Sequence, residues 1–292
     1  MGSSFAYPVR NTSAGGKRRR FALTSLLVVV MVLLALVFLL PLFWLLSTAL
    51  KTSIEIGAFP PLWWPARPQW INFFTAVTLI DYLHFTGNTV VLSTLSATLA
   101  TFSSALVGFA FARLPGGGPK QALFTIMVSM MMMPTMITVI PTYILFANLG
   151  MVGNYWPWVL WGLGASPFFI FLFRQFFASI PQELEDAAIV DGAGYFRIFW
   201  QIFLPLAGPV LVTSFMLQFV ATWGDWFSPL IFLNPDNTTL GVAMAQGYSS
   251  PVNLPMQNIN AAGSIIYVLP VLVIFFFAQR FYVRSLVSAS LK

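Results

Sequence analysis

The sequence predicts an all-α polytopic membrane protein with six transmembrane helices and one short, acidic helix outside the bilayer. Three observations lead there. Of the 292 residues, 58% are hydrophobic and 8% charged, and a mean hydropathy of +0.83 leaves more apolar surface than a soluble domain of this size can bury. Six uncharged stretches are long enough to cross a hydrocarbon core of roughly 30 Å, which takes about 20 helical residues. No run shows the period-two alternation that a membrane β-barrel requires.

Residues 1–20 form a polar, basic tail ending in Lys17, Arg18, Arg19 and Arg20, and 21–292 form the six-span body. The uncharged stretch 21–49 far exceeds a signal-peptide core and ends without a small-x-small cleavage site, so it is read as a retained first span. The other spans are placed at 85–112, 121–146, 155–173, 206–233 and 262–278, and Pro41, Pro134, Pro141, Pro167, Pro229 and Pro270 should kink or break several of them. With the N-terminus inside, twelve cations fall on inner segments against Lys51 and Arg67 on outer ones. That bias puts both termini in the cytoplasm, with outer loops at 50–84, 147–154 and 234–261. It also accounts for the net charge of +6 without nucleic acid.

The stretch 179–205 stands apart. Four of the eight acidic residues, Glu183, Glu185, Asp186 and Asp191, fall within it on the cytoplasmic side. Ser179 with Gln182 fits a capping box, Pro181 suits a first turn, and Leu184, Ala187 and Ala188 form a thin apolar stripe. Gly192 is placed to end the helix in the left-handed conformation, and 195–203 carries the chain to Pro205.

The pattern acidic-Ala-Ala, three residues, Gly, nine residues, Ile-x-Leu-Pro is filled by Asp186, Ala187, Ala188, Gly192, Ile202, Leu204 and Pro205. It resembles the EAA loop of the membrane subunits of ABC importers, with Asp186 in place of the name-giving Glu. Arg174-Gln175-Phe176-Phe177, Gly224-Asp225-Trp226 with Pro229-Leu230, and Gln279-Arg280-Phe281-Tyr282-Val283-Arg284 add a likeness to the carbohydrate-uptake branch, similar to maltose-type permeases. The branch usually shows Asn where Gly224 stands. The resemblance implies a subunit that forms half of the pathway for a sugar or oligosaccharide in a bacterial or archaeal cell (inner) membrane. Its partners would be two copies of an ATP-binding subunit, a second homologous permease subunit and an extracellular or periplasmic solute-binding protein. It also implies that Glu183, Glu185, Asp186, Ala187, Ala188, Asp191 and Gly192 form a coupling helix for the ATPase. ATP and Mg would bind in that partner, and no cofactor in this chain.

No nucleotide site is legible here. Gly116-Gly117-Gly118-Pro119-Lys120 lacks the Gly-Lys-Ser/Thr ending and a preceding buried strand, so it is read as a turn and not a P-loop. Gln218, Thr222, Trp223, Asp225 and Trp226 are the candidates for the substrate pathway. For Asp225 and its tryptophans, a helix break lining a cavity and an interfacial aromatic belt both remain open. For Gln218 and Thr222, the pathway stands beside interhelical hydrogen bonding. Met130 to Met133 read as packing, and the lone His84 as an interfacial residue. With no cysteine and one histidine, no thiol chemistry or histidine metal cluster is available. Two rival functions are an ABC importer permease for a non-carbohydrate solute and a membrane-embedded enzyme. The enzyme would need convergent nucleophiles and bases that the spans lack.

Overall fold

A computed structural model describes the backbone of residues 14–250 and 254–289 and the side chains of 21–134, 136–250 and 254–277. Among these residues all regular structure is helical, apart from one isolated antiparallel bridge between Ser249 and Pro255. Part of the basic tail and the side chains of the motif at 279–284 lie outside the described residues.

The helices, in order, are α1 (Ala14–Ala49), α2 (Ser53–Ile56), α3 (Ile71–Thr78), α4 (Tyr82–Arg113), α5 (Gly117–Met130), α6 (Thr135–Asn148), α7 (Trp156–Leu163), α8 (Pro167–Ala178) and α9 (Glu183–Val190). They continue with α10 (Tyr195–Ile198), α11 (Leu204–Leu206), α12 (Gly208–Gly224), α13 (Phe227–Phe232), α14 (Leu240–Gln246) and α15 (Gln257–Ala289). A π-helical turn, Phe199–Phe203, joins α10 to α11.

Among the described residues, four helical spans have the length and hydropathy to cross a bilayer: Phe21–Ala49, Tyr82–Arg113, Trp156–Ala178 and Gln257–Phe277. A fifth candidate is the pair Tyr195–Leu206 and Gly208–Gly224, bent by 80°. The predicted third span, 121–146, is instead two helices of 14 residues, α5 and α6, separated at Met131–Pro134. Each reaches only about 21 Å. The expected count of six is therefore met only if α5 and α6 cross together as one interrupted span. Pro134 and Pro167 stand at breaks, as a missing N–H and a ring that crowds the preceding turn dictate. Pro41, Pro141 and Pro270 sit inside continuous helices.

α4 is the centre of the packing, with α7, α8 and α12 against it, while α15 holds α1, α3 and α12. Glycine sets how closely α4 can be approached. A Cβ on Gly108 would stand 2.6 Å from Phe173 Cβ, and one on Gly162 would stand 2.7 Å from Leu99 Cβ, so α8 and α7 meet α4 at contact distance only because those side chains are absent. Small polar residues fill the same seam: Ser103 Oγ donates to Gly162 O at 2.6 Å, and Ser104 Oγ accepts from Ser166 N at 3.0 Å. Such pairs satisfy polar groups where no water can. α1, by contrast, is apolar all round and exposed along most of its described length. That is the surface a lipid-facing span presents.

The loop 50–84 is held by buried polar bonds. Asn72 Nδ2 donates to Ala49 O and Lys51 O, Lys51 Nζ donates to Leu62 O at 2.5 Å, and Tyr248 Oη reaches Ala76 O at 2.8 Å. Thr52 and Glu55 form a capping box on α2, and Glu55 also accepts from Ala66 N at 2.9 Å.

Candidate functional site: an acidic helix and an inter-helix cavity

The acidic stretch folds as α9, eight residues long. Its start differs from expectation. Ser179 makes no capping box; its hydroxyl donates back to Phe176 O at 2.7 Å and closes α8, leaving Gln182 as the N-cap without a side-chain bond. The stop is as expected. Gly192 has φ +79°, its N–H donates to Ile189 O, and Ala193 N–H donates to Ala188 O, which is a Schellman closure.

The faces of α9 correct the predicted apolar stripe. Leu184 and Ala187 point outward, whereas Glu185 and Ala188 are buried. Glu185 is turned into the protein and pairs with Arg113 at 3.4 Å, with side-chain exposures of 8% and 9%. The Arg113 guanidinium also donates to Phe177 O at 2.6 Å and to Ile180 O, and lies 4.9 Å from the Phe203 ring centroid. A charge so placed depends on its partners, and the set is nearly complete: only Nε is buried without a hydrogen bond. Ala188 completes an aromatic core with Phe109, Phe173, Phe177, Phe199 and Phe203. What α9 presents outward is Glu183, Asp186 and Asp191 interleaved with Leu184, Ala187 and Val190, the last 86% exposed. Arg113 was missed from the sequence as a partner of this helix. It read only as one cation of the inner set, because 72 positions separate it from Glu185.

The pathway candidates divide. A cavity of about 680 Å³ opens between α4, α6, α7, α12 and α13, and Gln218, Thr222 and Asp225 line it. Trp223 and Trp226 do not. Trp223 is 2% exposed, stacks with Phe219 and Tyr267, and donates Nε1–H to Tyr267 O at 3.1 Å. Trp226 is 47% exposed at the helix break. Gln218 Nε2 donates to Ser96 Oγ at 3.1 Å and Thr222 Oγ1 at 3.3 Å, so these residues tie α12 to α4 and line the cavity at once.

Asp225 sits where α12 ends and α13 begins. Its Oδ1 accepts the N–H groups of Phe227 and Ser228, each at 3.0 Å, and so caps the second helix. The aromatic wall of the cavity comes from Trp158, Trp161, Phe227 and Phe232. Sequence reasoning did not single these out, since aromatic residues make up 16% of the chain and their positions alone carry no signal. The described lining contains no lysine or arginine. The cavity therefore offers hydroxyls, an amide, one carboxylate and ring faces.

Residues 104–286 match the family model described as binding-protein-dependent transport system inner membrane component, more than half of the chain. The chain is 30% identical over 257 residues to the probable ABC transporter permease protein YurM of Bacillus subtilis (strain 168), covering 86% of this chain and 83% of that protein. It is also 30% identical over 256 residues to the melibiose/raffinose/stachyose import permease protein MelC of the same organism, covering 86% and 91%. Among solved structures, a chain of a bacterial ABC transporter involved in the import of the acidic polysaccharide alginate superposes with a TM-score of 0.77 at 18% identity, over 95% of this chain and 100% of that one. At that identity the likeness establishes the fold. The chain belongs to the family of inner membrane components of binding-protein-dependent transport systems.

Proposed function

We propose that this integral membrane protein forms half of the translocation pathway of an ATP-driven importer for a sugar or oligosaccharide. It is not itself an enzyme. ATP and magnesium are handled by two copies of a separate ATPase subunit. A second, homologous permease completes the pathway, and a solute-binding protein delivers the cargo on the outer side. The positive-inside bias supports placing both termini and α9 in the cytoplasm of a bacterial or archaeal cell.

The observation that carries the reading is that α9 and the cavity are both built on α4. Arg113 at one end of that helix holds Glu185, and Ser96 in its middle bonds Gln218 and Thr222. A displacement of α9 by a closing ATPase dimer would thus reach the cavity wall through packed and hydrogen-bonded groups. The outward residues Glu183, Asp186, Asp191, Leu184, Ala187 and Val190 supply charge and apolar area for docking. Glu185 serves the attachment of α9 instead. The solute class rests on relatives that include the melibiose/raffinose/stachyose permease. A cavity of hydroxyls, an amide, a carboxylate and indole faces suits a polyhydroxylated solute, whose ring C–H faces stack on aromatics while its hydroxyls bond polar groups.

Asp186→Lys tests the coupling role. In the transporter reconstituted with its partners, insertion and assembly should be retained while ATP hydrolysis is no longer accompanied by uptake. Uptake per ATP at the wild-type ratio would refute it.

A further inference from the structure

A second cavity, of about 390 Å³, opens at the α4–α5 turn beside the end of α8, and its wall holds two cations, Lys120 and Arg174. Neither is neutralised: the one ion pair among the described residues is Arg113 with Glu185, so no described carboxylate lies within 4.0 Å of either. Arg174 stacks its guanidinium at 4.1 Å from the Phe124 ring centroid. That contact covers one face and leaves the in-plane N–H donors free for an oxyanion. Lys120 Nζ donates to Leu114 O, which uses one of its three protons. Burial first, and then the nearby charge of Arg174, pull the Lys120 ammonium below the ordinary lysine value. Two like charges held together in a partly dry hollow repel, and an anion between them relieves both the repulsion and the desolvation. Gly116 keeps the arrangement compact, since a Cβ there would lie 2.8 Å from Lys120 Cβ. The stretch Gly116–Lys120, expected as a turn, is the N-cap and first helical turn of α5; it lacks the Gly-Lys-Ser/Thr ending and the preceding strand of a nucleotide loop, and the transport mechanism leaves it unused.

We propose that the hollow bounded by Lys120 and Arg174 is a binding site for a phosphate-bearing anion, either the headgroup of an acidic phospholipid or a soluble phosphate. Basic pockets between helices near the cytoplasmic face of a membrane recognise such headgroups. The inference goes beyond the transport reading and rests on it only for the leaflet, which is the inner one if α9 is cytoplasmic.

The test uses the complete transporter purified with its partner subunits. Native mass spectrometry follows occupancy by phosphatidylglycerol, phosphatidylcholine and inorganic phosphate. Lys120→Gln and Arg174→Gln should each lower phosphatidylglycerol occupancy about fivefold, the expected share of one cation near a lipid surface. Phosphatidylcholine should be unaffected, as should Arg197→Gln, which removes an exposed cation outside the hollow. Lys120→Arg should bind as wild type. If instead phosphate shows this dependence and phosphatidylglycerol does not, the ligand is the soluble one. Occupancy of both anions unchanged in the two glutamine variants would overturn the site, and so would loss in Lys120→Arg equal to that in Lys120→Gln. Because the chain has no cysteine, labelling of Lys120→Cys with an impermeant maleimide checks the leaflet separately. Labelling from outside would overturn the orientation and leave the anion site standing.

Discussion

The acidic helix and the main cavity are made from the same central span in opposite ways. Around α9, Arg113 and Glu185 are paired and packed with Ala188 and five phenylalanines, and the Arg113 guanidinium bonds Phe177 O and Ile180 O while its Nε stays buried without a partner. Around the cavity, Ser96, Gln218, Thr222 and Asp225 are polar groups set against open space, with aromatic rings as walls. One end is built to transmit a displacement, since a dense interior carries strain; the other is built to change shape, since a hollow costs little to deform. Attachment in the first region is measured as stability. In the second it should be measured as affinity.

The largest effect expected is at the attachment. Glu185→Ala leaves the Arg113 guanidinium buried without its carboxylate, a change that costs about 3–5 kcal/mol where one partner of a buried pair is removed. The thermal midpoint of the purified complex should fall sharply, with uptake lost; replacing both residues, Arg113→Met with Glu185→Leu, should recover much of the midpoint. An unaltered midpoint in Glu185→Ala would remove the contrast between the two regions.

Asp225 sharpens it. Asp225→Ala removes the cap of α13 and should cost about 0.5–2 kcal/mol, whereas Asp225→Asn keeps an acceptor oxygen and should hold the midpoint. If the carboxylate also meets the solute, the concentration for half-maximal uptake rises in both variants. A rise in neither confines Asp225 to capping.

The smallest effect concerns the loop that closes the far side of the fold. The backbone N–H groups of Thr52 and Ala66 hold the Glu55 carboxyl below the usual carboxylate range. A carboxyl depressed on folding adds stability above its unfolded value and loses it as pH falls through the folded one. The protection of the Thr52 and Ala66 amides, taken as the observed exchange rate against the intrinsic rate at the same pH, should therefore fall on acidification, earlier than protection in α4, and Glu55→Gln should remove that difference.

These regions also differ in how far they could be read in advance. The position of α9, the stop at Gly192 and most of the apolar spans follow from local pattern, because helix-ending glycines and uncharged runs are properties of neighbouring residues. Ser179 misled because a Ser-x-x-Gln pair before a helix and a serine closing the previous helix look the same in one dimension; the hydroxyl chose Phe176 O. The predicted third span kept its proline signal at Pro134 but not its continuity, since the unwound turn at Met131–Pro134 contains no charge to mark it. Gln218, Thr222 and Asp225 were legible as rare polar groups in an apolar setting. Trp158 and Trp161 were not, and neither was the Arg113–Glu185 pair, because contacts between distant segments appear only when the helices are assembled.

α4 has one further consequence. It is an unbroken rod of 32 residues, or about 48 Å. Arg113 anchors one tip; near the other, Tyr82 Oη donates to Gly263 O and Asn88 Nδ2 to Thr238 O, while Thr89 Oγ1 accepts from Leu240 N. A rod gripped at both tips neither stretches nor buckles easily, so a push on one tip is delivered as a tilt. Pivoting by about 5° around the Arg113 tip carries the Tyr82 tip through about 4 Å. What the length of the rod enlarges is rotation: a turn of a few degrees close to the Arg113 tip becomes several ångströms at the other.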